Sequence, residues 1–599
     1  MTTIRSTWLP RWSFRSRRSF TFAALWLATF ALALFVVFRV PIASGFDLGF
    51  GERGDALIEM TILEHWRNVW AGVSPWNSGF YFHPYADTLG YNDGYFLYGL
   101  SYSIWRTLTD PFHADTLNIL TFKAIGFVGA YALVRRGLGW GRGAGLFVAA
   151  GFTIASSISL QAVHAQLQSV ALLPVAMLLA IGCVHAEKGG RHGVARWMAV
   201  GLAVLMATWL MTSYYMAWFT IFSACLFVLC WAILSGHARP LAMLGLVRDH
   251  AATIAWGLGS FAVLILPFLA VYLPKLRETG GEGYYEMLGY LVTPVIDMVN
   301  VGPDNYLWGW LFRPLLALVH QVLPDDPALP GRVLRGEHEV GFPPLFCLLL
   351  VIGAWRVLRR HPVGKGAIPS IAWRAFALAM VVAWALTLQF WVASPWNLVF
   401  FLVPGAKGLR VVSRYQLWLT LPFLLVMVFA WRARMAELLR NRPWWGVAIV
   451  VLLMAENLSA ETAAQLSRRE QRAALDAIPP PPPGCASFYV VASRVGERTY
   501  INAELNALYP HNVDAMFLAE QWRVPTINGF STFNPPDWNF GNPLRADYDG
   551  RVARYVARHG LRQVCRLDMR QLQPWSKVYG RSTIITFLPL QGGGAGRQV

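Results

Sequence analysis

Charge is what this sequence has least of. Of its 599 residues only 14% are Asp, Glu, Lys or Arg, where a soluble domain carries about 25%. With 55% hydrophobic residues and a mean hydropathy of +0.41, that shortage excludes a water-soluble globular protein and leaves an integral membrane protein. Cysteine is scarce as well, six in all. No CxxC pair, HExxH, Walker A or GxSxG motif occurs, which excludes the usual zincins, P-loop ATPases and serine hydrolases. No internal repeat is visible. The N-terminal apolar stretch, Phe20 to Val40, lacks a small-residue cleavage site and is too long for the core of a signal peptide. It reads as a retained first span behind a basic cytoplasmic tail, residues 1–19.

The charge that is present is placed unevenly. A net charge of +18 would suit nucleic acid, but the Arg and Lys residues gather in short connections between apolar runs, so no nucleic-acid partner is expected. Runs of membrane length lie at 20–41, 116–135, 143–160, 168–186, 196–212, 214–235, 252–273, 342–358, 371–393, 412–431 and 444–459, about eleven transmembrane helices. Every second connection is basic: Arg135, Arg136 and Arg142; Lys188, Arg191 and Arg196; Arg239 and Arg248; Arg356 to Arg374; Arg432 to Arg442. Cytoplasmic loops carry this excess, and all five become cytoplasmic if 42–115 lies wholly outside. The expected fold is therefore an α-helical polytopic membrane protein among membrane lipids, with a transmembrane domain over 20–460.

Acidic residues concentrate in one place. The first outer segment, 42–115, holds Asp47, Glu52, Asp55, Glu59, Glu64, Asp87, Asp93, Asp110 and Asp115 among many aromatics. Two of its stretches, about Gly54 to Ala71 and Asn92 to Leu108, have helical patterning. Both are too polar to span comfortably, so they are expected along the membrane surface. After residue 460 the composition changes. A charged linker, 461–484, runs into Pro479–Pro483, a stiff polyproline spacer. Beyond it ASFYVVAS and STIITFLPL read as strands, with NVDAMFLAEQW and YDGRVARYVARHG as helices between them. This predicts a small periplasmic α/β domain over 485–590 and a disordered tail, 591–599.

An acidic group beside the outer surface suits a general base that deprotonates an acceptor. Asp55, in a GDA tripeptide opening a helix, fits that role; spacing alone favours the plainer reading of a first-turn acid that stabilises the helix dipole. Asp47 and Glu52, in a Gly-rich loop, are alternatives. Asp87 and Asp93, in FHPYADTLGYND, read as turn formers around Pro84 and Gly90 or as lining of an outer cleft. His164, in QAVHAQLQS, either reaches that cleft or satisfies a helix end. The sequence RGEHEVGFPPL sets Glu337 near a helix start, with His338 expected at the surface. Two converging carboxylates would suit a divalent cation, but no spacing demands one. The outer loop VPGAKGLRVVSRYQLW presents Lys407, Arg410 and Arg414 against the topological bias. Arg grips phosphate with two parallel hydrogen bonds, and a four-residue spacing sets Arg410 and Arg414 on one helical face; snorkelling to lipid headgroups is the competing account. Cys485 and Cys565, the only cysteines of the exported segment, are expected to pair.

These features together resemble the GT-C superfamily of membrane glycosyltransferases, which includes protein O-mannosyltransferases and the lipid A aminoarabinose transferases. The resemblance rests on GERGDALIEMTILEHWRNVWAGVSPW and FHPYADTLGYND in the first outer loop, on PGAKGLRVVSRYQ later, and on ENLS closing the last span. It covers roughly 20–460. It implies a polyprenyl-phosphate-linked sugar donor, inverting transfer on the periplasmic side to a glycan, lipid or protein acceptor, Asp55 as base with Asp47 second, and Arg410 and Arg414 on the donor phosphate. The superfamily's metal users carry acidic pairs in their outer loops; the first loop here has no DxD. A transporter or lipid flippase is the competing class, but these spans are nearly free of charge, Lys123 being the main exception, and show no symmetry. A non-catalytic envelope assembly factor would keep the topology and dispense with Asp55.

Overall fold

The computed structural model describes residues 17–280, 292–322, 336–359, 370–390, 393–492 and 503–579. The chain divides into two units. The first comprises Met1–Gly79, Asp87–Arg472 and Ser531–Pro536; the second comprises Phe80–Ala86, Ala473–Phe530 and Asp537–Val599. Each unit thus borrows a short piece of sequence from within the other, and the segment 461–484 divides between them after Arg472.

The first unit is a helical bundle. In chain order it contains α1 (Arg17–Ala43), α2 (Arg53–Trp70), α3 (Phe96–Trp105), α4 (Pro111–Ala132), α5 (Arg142–Ile154), α6 (Leu173–Lys188), α7 (His192–Leu210), α8 (Tyr214–Ser235), α9 (Ala251–Leu264), α10 (Leu266–Thr279), α11 (Pro344–Leu358), α12 (Ser370–Thr387), α13 (Tyr415–Asn441) and α14 (Pro443–Ala455), with the further helices Pro240–Asp249 and Gly309–Val322 and shorter helical segments between them. The helical polytopic architecture expected from the apolar runs is present, since all eleven runs form helices. Among the described residues eight helical stretches are long and apolar enough to cross a membrane, and nine if the α9–α10 pair, bent by 51°, is one span. α11 and α14 are apolar but shorter.

The polar helix α2 is largely buried among the other helices. It does not display one wet face: Ala56, Leu57, Met60, Ile62 and Leu63 are buried, and so are Glu59, Glu64, His65 and Asn68. Such burial needs partners, and Glu64, 1% exposed, has three. It takes an ion pair from Arg106 at 2.5 Å and another from Arg67 at 2.9 Å, and it accepts the Tyr102 hydroxyl at 2.6 Å. Tyr102 lies in α3 and Arg106 caps it, so this cluster ties α3 to α2. The two helices of the first loop are consequently a packed part of the bundle. Within it, α4 starts where Asp110 accepts the N–H groups of Phe112 (3.1 Å) and His113 (3.3 Å), with Pro111 at the first helical position.

In the second unit, β1 (Ser487–Ala492) runs parallel to β2 (Val564–Asp568), and β2 pairs antiparallel with β3 (Trp575–Tyr579). Helices α15 (Ala503–Trp522) and α16 (Tyr548–Arg558) form the crossover between the parallel strands. The face of α16 carrying Val552, Tyr555 and Val556 packs with Tyr489, Val491, Ile527 and Phe540. Cys485 and Cys565 are disulfide-bonded, as expected, with Cα atoms 5.7 Å apart. The strand expected at STIITFLPL and the tail 591–599 lie outside the described residues.

Candidate active site

α2 opens with Glu52 as its N-cap, whose Oε1 accepts the Asp55 N–H at 3.2 Å. Glu52 therefore does the capping, and the Asp55 carboxylate is directed elsewhere: its Oδ2 lies 3.3 Å from Nδ1 of His164. The other ring nitrogen, Nε2, lies 3.1 Å from Oε1 of Glu337. Both ring nitrogens thus face carboxylates, an arrangement that an imidazolium satisfies with two donated bonds. Glu337 in turn receives Arg414 through two nitrogens, Nε at 3.1 Å and Nη2 on the other oxygen. Four residues far apart in sequence, Asp55, His164, Glu337 and Arg414, form one continuous chain of alternating acid and base.

The backbone beneath that chain is fixed at each link. Gly336 takes a positive φ of 63°, which lets the turn carrying Glu337 reverse without a Cβ penalty. Gln161 donates to the Gly336 carbonyl at 2.9 Å and Ser413 to the Glu337 carbonyl at 3.0 Å. On the opposite side of this turn His338 is buried, its Nδ1 2.5 Å from Oδ2 of the fully buried Asp297. His338 is therefore not the surface residue that its acidic neighbours suggested. Asn300 and Gln416 hold the carbonyls of His338 and Asp297, each at 3.1 Å.

Arg414 is 6% exposed and its guanidinium lies 5.4 Å from the centroid of the Tyr215 ring, within cation–π range. The Tyr215 hydroxyl accepts the backbone N–H groups of Arg410 (2.7 Å) and Val411 (3.1 Å). The Tyr214 hydroxyl donates to Gly405 O at 2.7 Å and the Trp218 indole to Pro404 O at 3.0 Å. The start of α8 thereby clamps the cationic loop that carries Lys407 and Arg410. That loop is not helical at 409–411, so Arg410 and Arg414 do not share a helical face; the i,i+4 argument fails because regular helix begins only after Arg414. Both Lys407 and Arg410 are half-buried.

Asp93 joins the same region. Its Oδ1 accepts the Tyr214 N–H at 2.9 Å. Burial pushes its carboxyl up to about 6, against the downward pull of that N–H and of Arg414. Burial also raises the Glu337 carboxyl, but Arg414 and His164 more than reverse this and hold it well below the usual carboxylate range. Tyr95, left-handed at φ 51°, feels Glu59, Asp93, Asp55 and Arg414 together and so sits among them. The starts of α2, α8 and α13 all contribute, and helix N-termini favour anions.

Two predicted residues lie outside this cluster. Asp47 accepts the Ser467 hydroxyl at 3.2 Å and the Arg469 N–H at 3.0 Å, securing the two-residue strand pairing of Leu48–Gly49 with Leu466–Ser467. Asp87 adopts φ 54° and accepts from the Asn77 side chain and, through its N–H, bonds Ser78 Oγ at 2.8 Å, the turn role anticipated for it. Tyr215, Ser413, Gln161 and Asp297 were not foreseen; a Tyr-Tyr pair entering a span on the outer side was the one available signal. Among the described residues no group of three or more His, Cys, Asp or Glu is arranged to hold a metal ion.

No protein-family model matches the chain, and no curated protein matches it in sequence. Among solved structures it is similar to the Archaeoglobus fulgidus oligosaccharyltransferase in its apo form, with TM-score 0.46 and 12% identity over 90% of this chain and 69% of that one. It is similar to the arabinofuranosyltransferase AftD from Mycobacteria (TM-score 0.44, 14% identity, 93% of this chain and 35% of that one). It is similar also to ArnT from Cupriavidus metallidurans bound to undecaprenyl phosphate (TM-score 0.34, 13% identity, 84% and 85%). These are GT-C superfamily membrane glycosyltransferases. At TM-scores below 0.5 the likeness decides neither fold nor activity, which leaves function to the side chains of the site.

Proposed function

We propose that this membrane protein is a GT-C type glycosyltransferase that moves a sugar from a polyprenyl-phosphate donor to an acceptor on the periplasmic side of a bacterial inner membrane. The observation that supports it is the chain Asp55–His164–Glu337–Arg414 beside the clamped loop of Lys407 and Arg410. Asp55 is the proposed base. The acceptor oxygen forms a bond to the anomeric carbon, the bond from that carbon to the phosphate oxygen breaks with inversion, and the acceptor proton passes to the Asp55 carboxylate. Polyprenyl phosphate leaves with the bonding electrons and needs no proton.

In this proposal Lys407 and Arg410 meet the donor phosphate. Arg414, already held by Glu337, keeps N–H groups to spare and contributes its charge from behind. His164 fixes the Asp55 carboxylate, and Asp93 lines the cleft. Replacing Arg410 by Ala should weaken donor binding far more than Arg551→Ala, a change in the second unit. Lys at position 410 should recover part of the loss, since it supplies the charge without the fork. The direct test is mass spectrometry of lipid that co-purifies with the protein, followed by turnover of a polyprenyl-phosphate sugar in proteoliposomes. Stoichiometric donor with release of polyprenyl phosphate is the expected result. Donor that binds and crosses the bilayer unchanged would point instead to a flippase.

A further inference from the structure

Behind the site, α2, α3 and α4 pack on one another and enclose polar groups that the proposed reaction does not use. Glu59, one turn beyond Asp55 on α2, is 3% exposed, and Asp115 on α4 is 5% exposed. The two carboxyls lie within hydrogen-bonding reach of each other. One Glu59 oxygen, Oε2, accepts the Ala165 N–H at 3.3 Å, while among the described residues Oε1 and Asp115 Oδ1 have no donor other than the opposing carboxyl. Asn118 is fully buried, and among the described residues neither its amide nitrogen nor its amide oxygen has a partner. It stands three residues after Asp115, on the same face of α4. Tyr98 of α3, also fully buried, has no partner for its hydroxyl among the described residues. Its ring stacks at 4.0 Å on Phe122, the next turn of that face, and its hydroxyl feels the charges of Glu59 and Asp115.

Asn118 and Tyr98 thus leave three buried polar atoms without partners among the described residues, costly at about 1–3 kcal/mol for each unsatisfied group, and the two carboxyls satisfy each other only when they share a proton. The two carboxylates make this worse. The charges that act on Glu59 are those of Asp115 and Asp55, all negative, and Lys123, two turns along α4, bonds Thr153 O at 3.4 Å instead. We propose that Glu59, Asp115, Asn118 and Tyr98 form an interior binding site for a hard divalent cation. Every donor offered is oxygen apart from the Asn118 amide nitrogen, which turns away when its oxygen coordinates, and oxygen donors select Mg²⁺ or Ca²⁺ over the softer metals. Two carboxylates balance one divalent charge. Asp115 also lines a small cavity of about 10 Å³, with Asp47, Met60, Thr116 and Arg468 on its walls. The bound ion would join α2 to α4 and, through the bond from Glu59 to Ala165, brace the turn that bears His164.

The proposal stands apart from sugar transfer, and so does its test. The full-length protein, purified in detergent and stripped with chelator, is titrated with Ca²⁺ and separately with Mg²⁺. Bound metal is counted by equilibrium dialysis and stability is followed by thermal unfolding. One ion per chain and a raised Tm are expected with at least one of the two metals, and Glu59→Gln or Asp115→Asn should weaken binding by about tenfold or more, as loss of a ligand charge does. Tyr98→Phe keeps the ring stacked and is the variant to rely on if the carboxyl changes prevent folding; it should weaken binding measurably. Asp55→Asn, which removes a neighbouring negative charge but no ligand, should weaken binding less than either carboxyl change. The proposal is overturned if stripped wild type binds neither ion, if the Glu59, Asp115 or Tyr98 variants that fold bind as tightly as wild type, or if Asp55→Asn alone abolishes binding.

Discussion

Glu337→Gln isolates the link on which the site depends. The substitution keeps the shape of the side chain but removes the charge that faces Arg414 and His164. Arg414, 6% exposed, then holds an uncompensated cation in the protein interior, and breaking a buried pair from one side costs about 3–5 kcal/mol. Glu337 retains 22% exposure, which places the cost near the lower end, about 3 kcal/mol. An unfolding entropy of about 2.1 cal/mol/K per residue, taken over this chain, converts that to a fall in Tm of about 2 °C. The pH dependence has a definite sign. In the folded protein the Glu337 carboxyl lies below its ordinary value of 4.5. Its contribution is therefore complete above about pH 4.5 and is lost progressively as the pH falls below that value. Wild type and variant, compared by thermal unfolding in detergent, should differ most at pH 7 and converge toward pH 3. Adding Arg414→Met to the variant should return part of the loss, because the stranded charge goes with it. Equal Tm values at pH 7, or a difference that stays constant down to pH 3, would refute the reasoning and make Glu337 an ordinary solvated acid.

Other consequences follow from single features. Asp93 is held at about 6 in the fold against an ordinary 3.8, so its ionisation destabilises the folded state above that range; Asp93→Asn should gain stability over wild type at pH 8, and the gain should vanish by pH 3 in the same unfolding measurement. Gly405, at φ 82° with its Cβ position against the Tyr214 hydroxyl, has no room for Ala, and Gly405→Ala should loosen the Lys407–Arg410 loop and weaken donor binding in a lipid-binding assay. With Cys485 joined to Cys565 and four cysteines free, denatured protein should titrate four thiols before reduction and six after. Removing the bond should cost the second unit on the order of 4 kcal/mol.

The parts of the fold that were legible in the sequence are those carried by long, repetitive signals. A run of about 20 apolar residues has few alternatives to a helix, and all eleven runs are helical. The disulfide was legible because only two cysteines were available to make it. The burial of the polar helix α2 was not legible because its acids, taken singly, look solvated; two of the three groups that hold Glu64, Tyr102 and Arg106, lie 38 and 42 residues away in sequence. Asp55, His164, Glu337 and Arg414 were each named, but spacing gives no reason to join residues separated by hundreds of positions. Asp297 and His338, 41 residues apart, were invisible as a pair for the same reason. The passage of Phe80–Ala86 into the second unit leaves no mark in composition at all.

Asp55→Asn, assayed for sugar transfer from a polyprenyl-phosphate donor in proteoliposomes, tests the central claim most directly. Glu52 caps α2 through the Asp55 backbone N–H, which the substitution leaves in place, and Asn still accepts a hydrogen bond from His164. Folding and donor binding should therefore match wild type, while the rate falls by about 10²–10⁴, the usual cost of losing a general base. A folded, donor-loaded Asp55→Asn protein that transfers sugar at the wild-type rate would contradict the account.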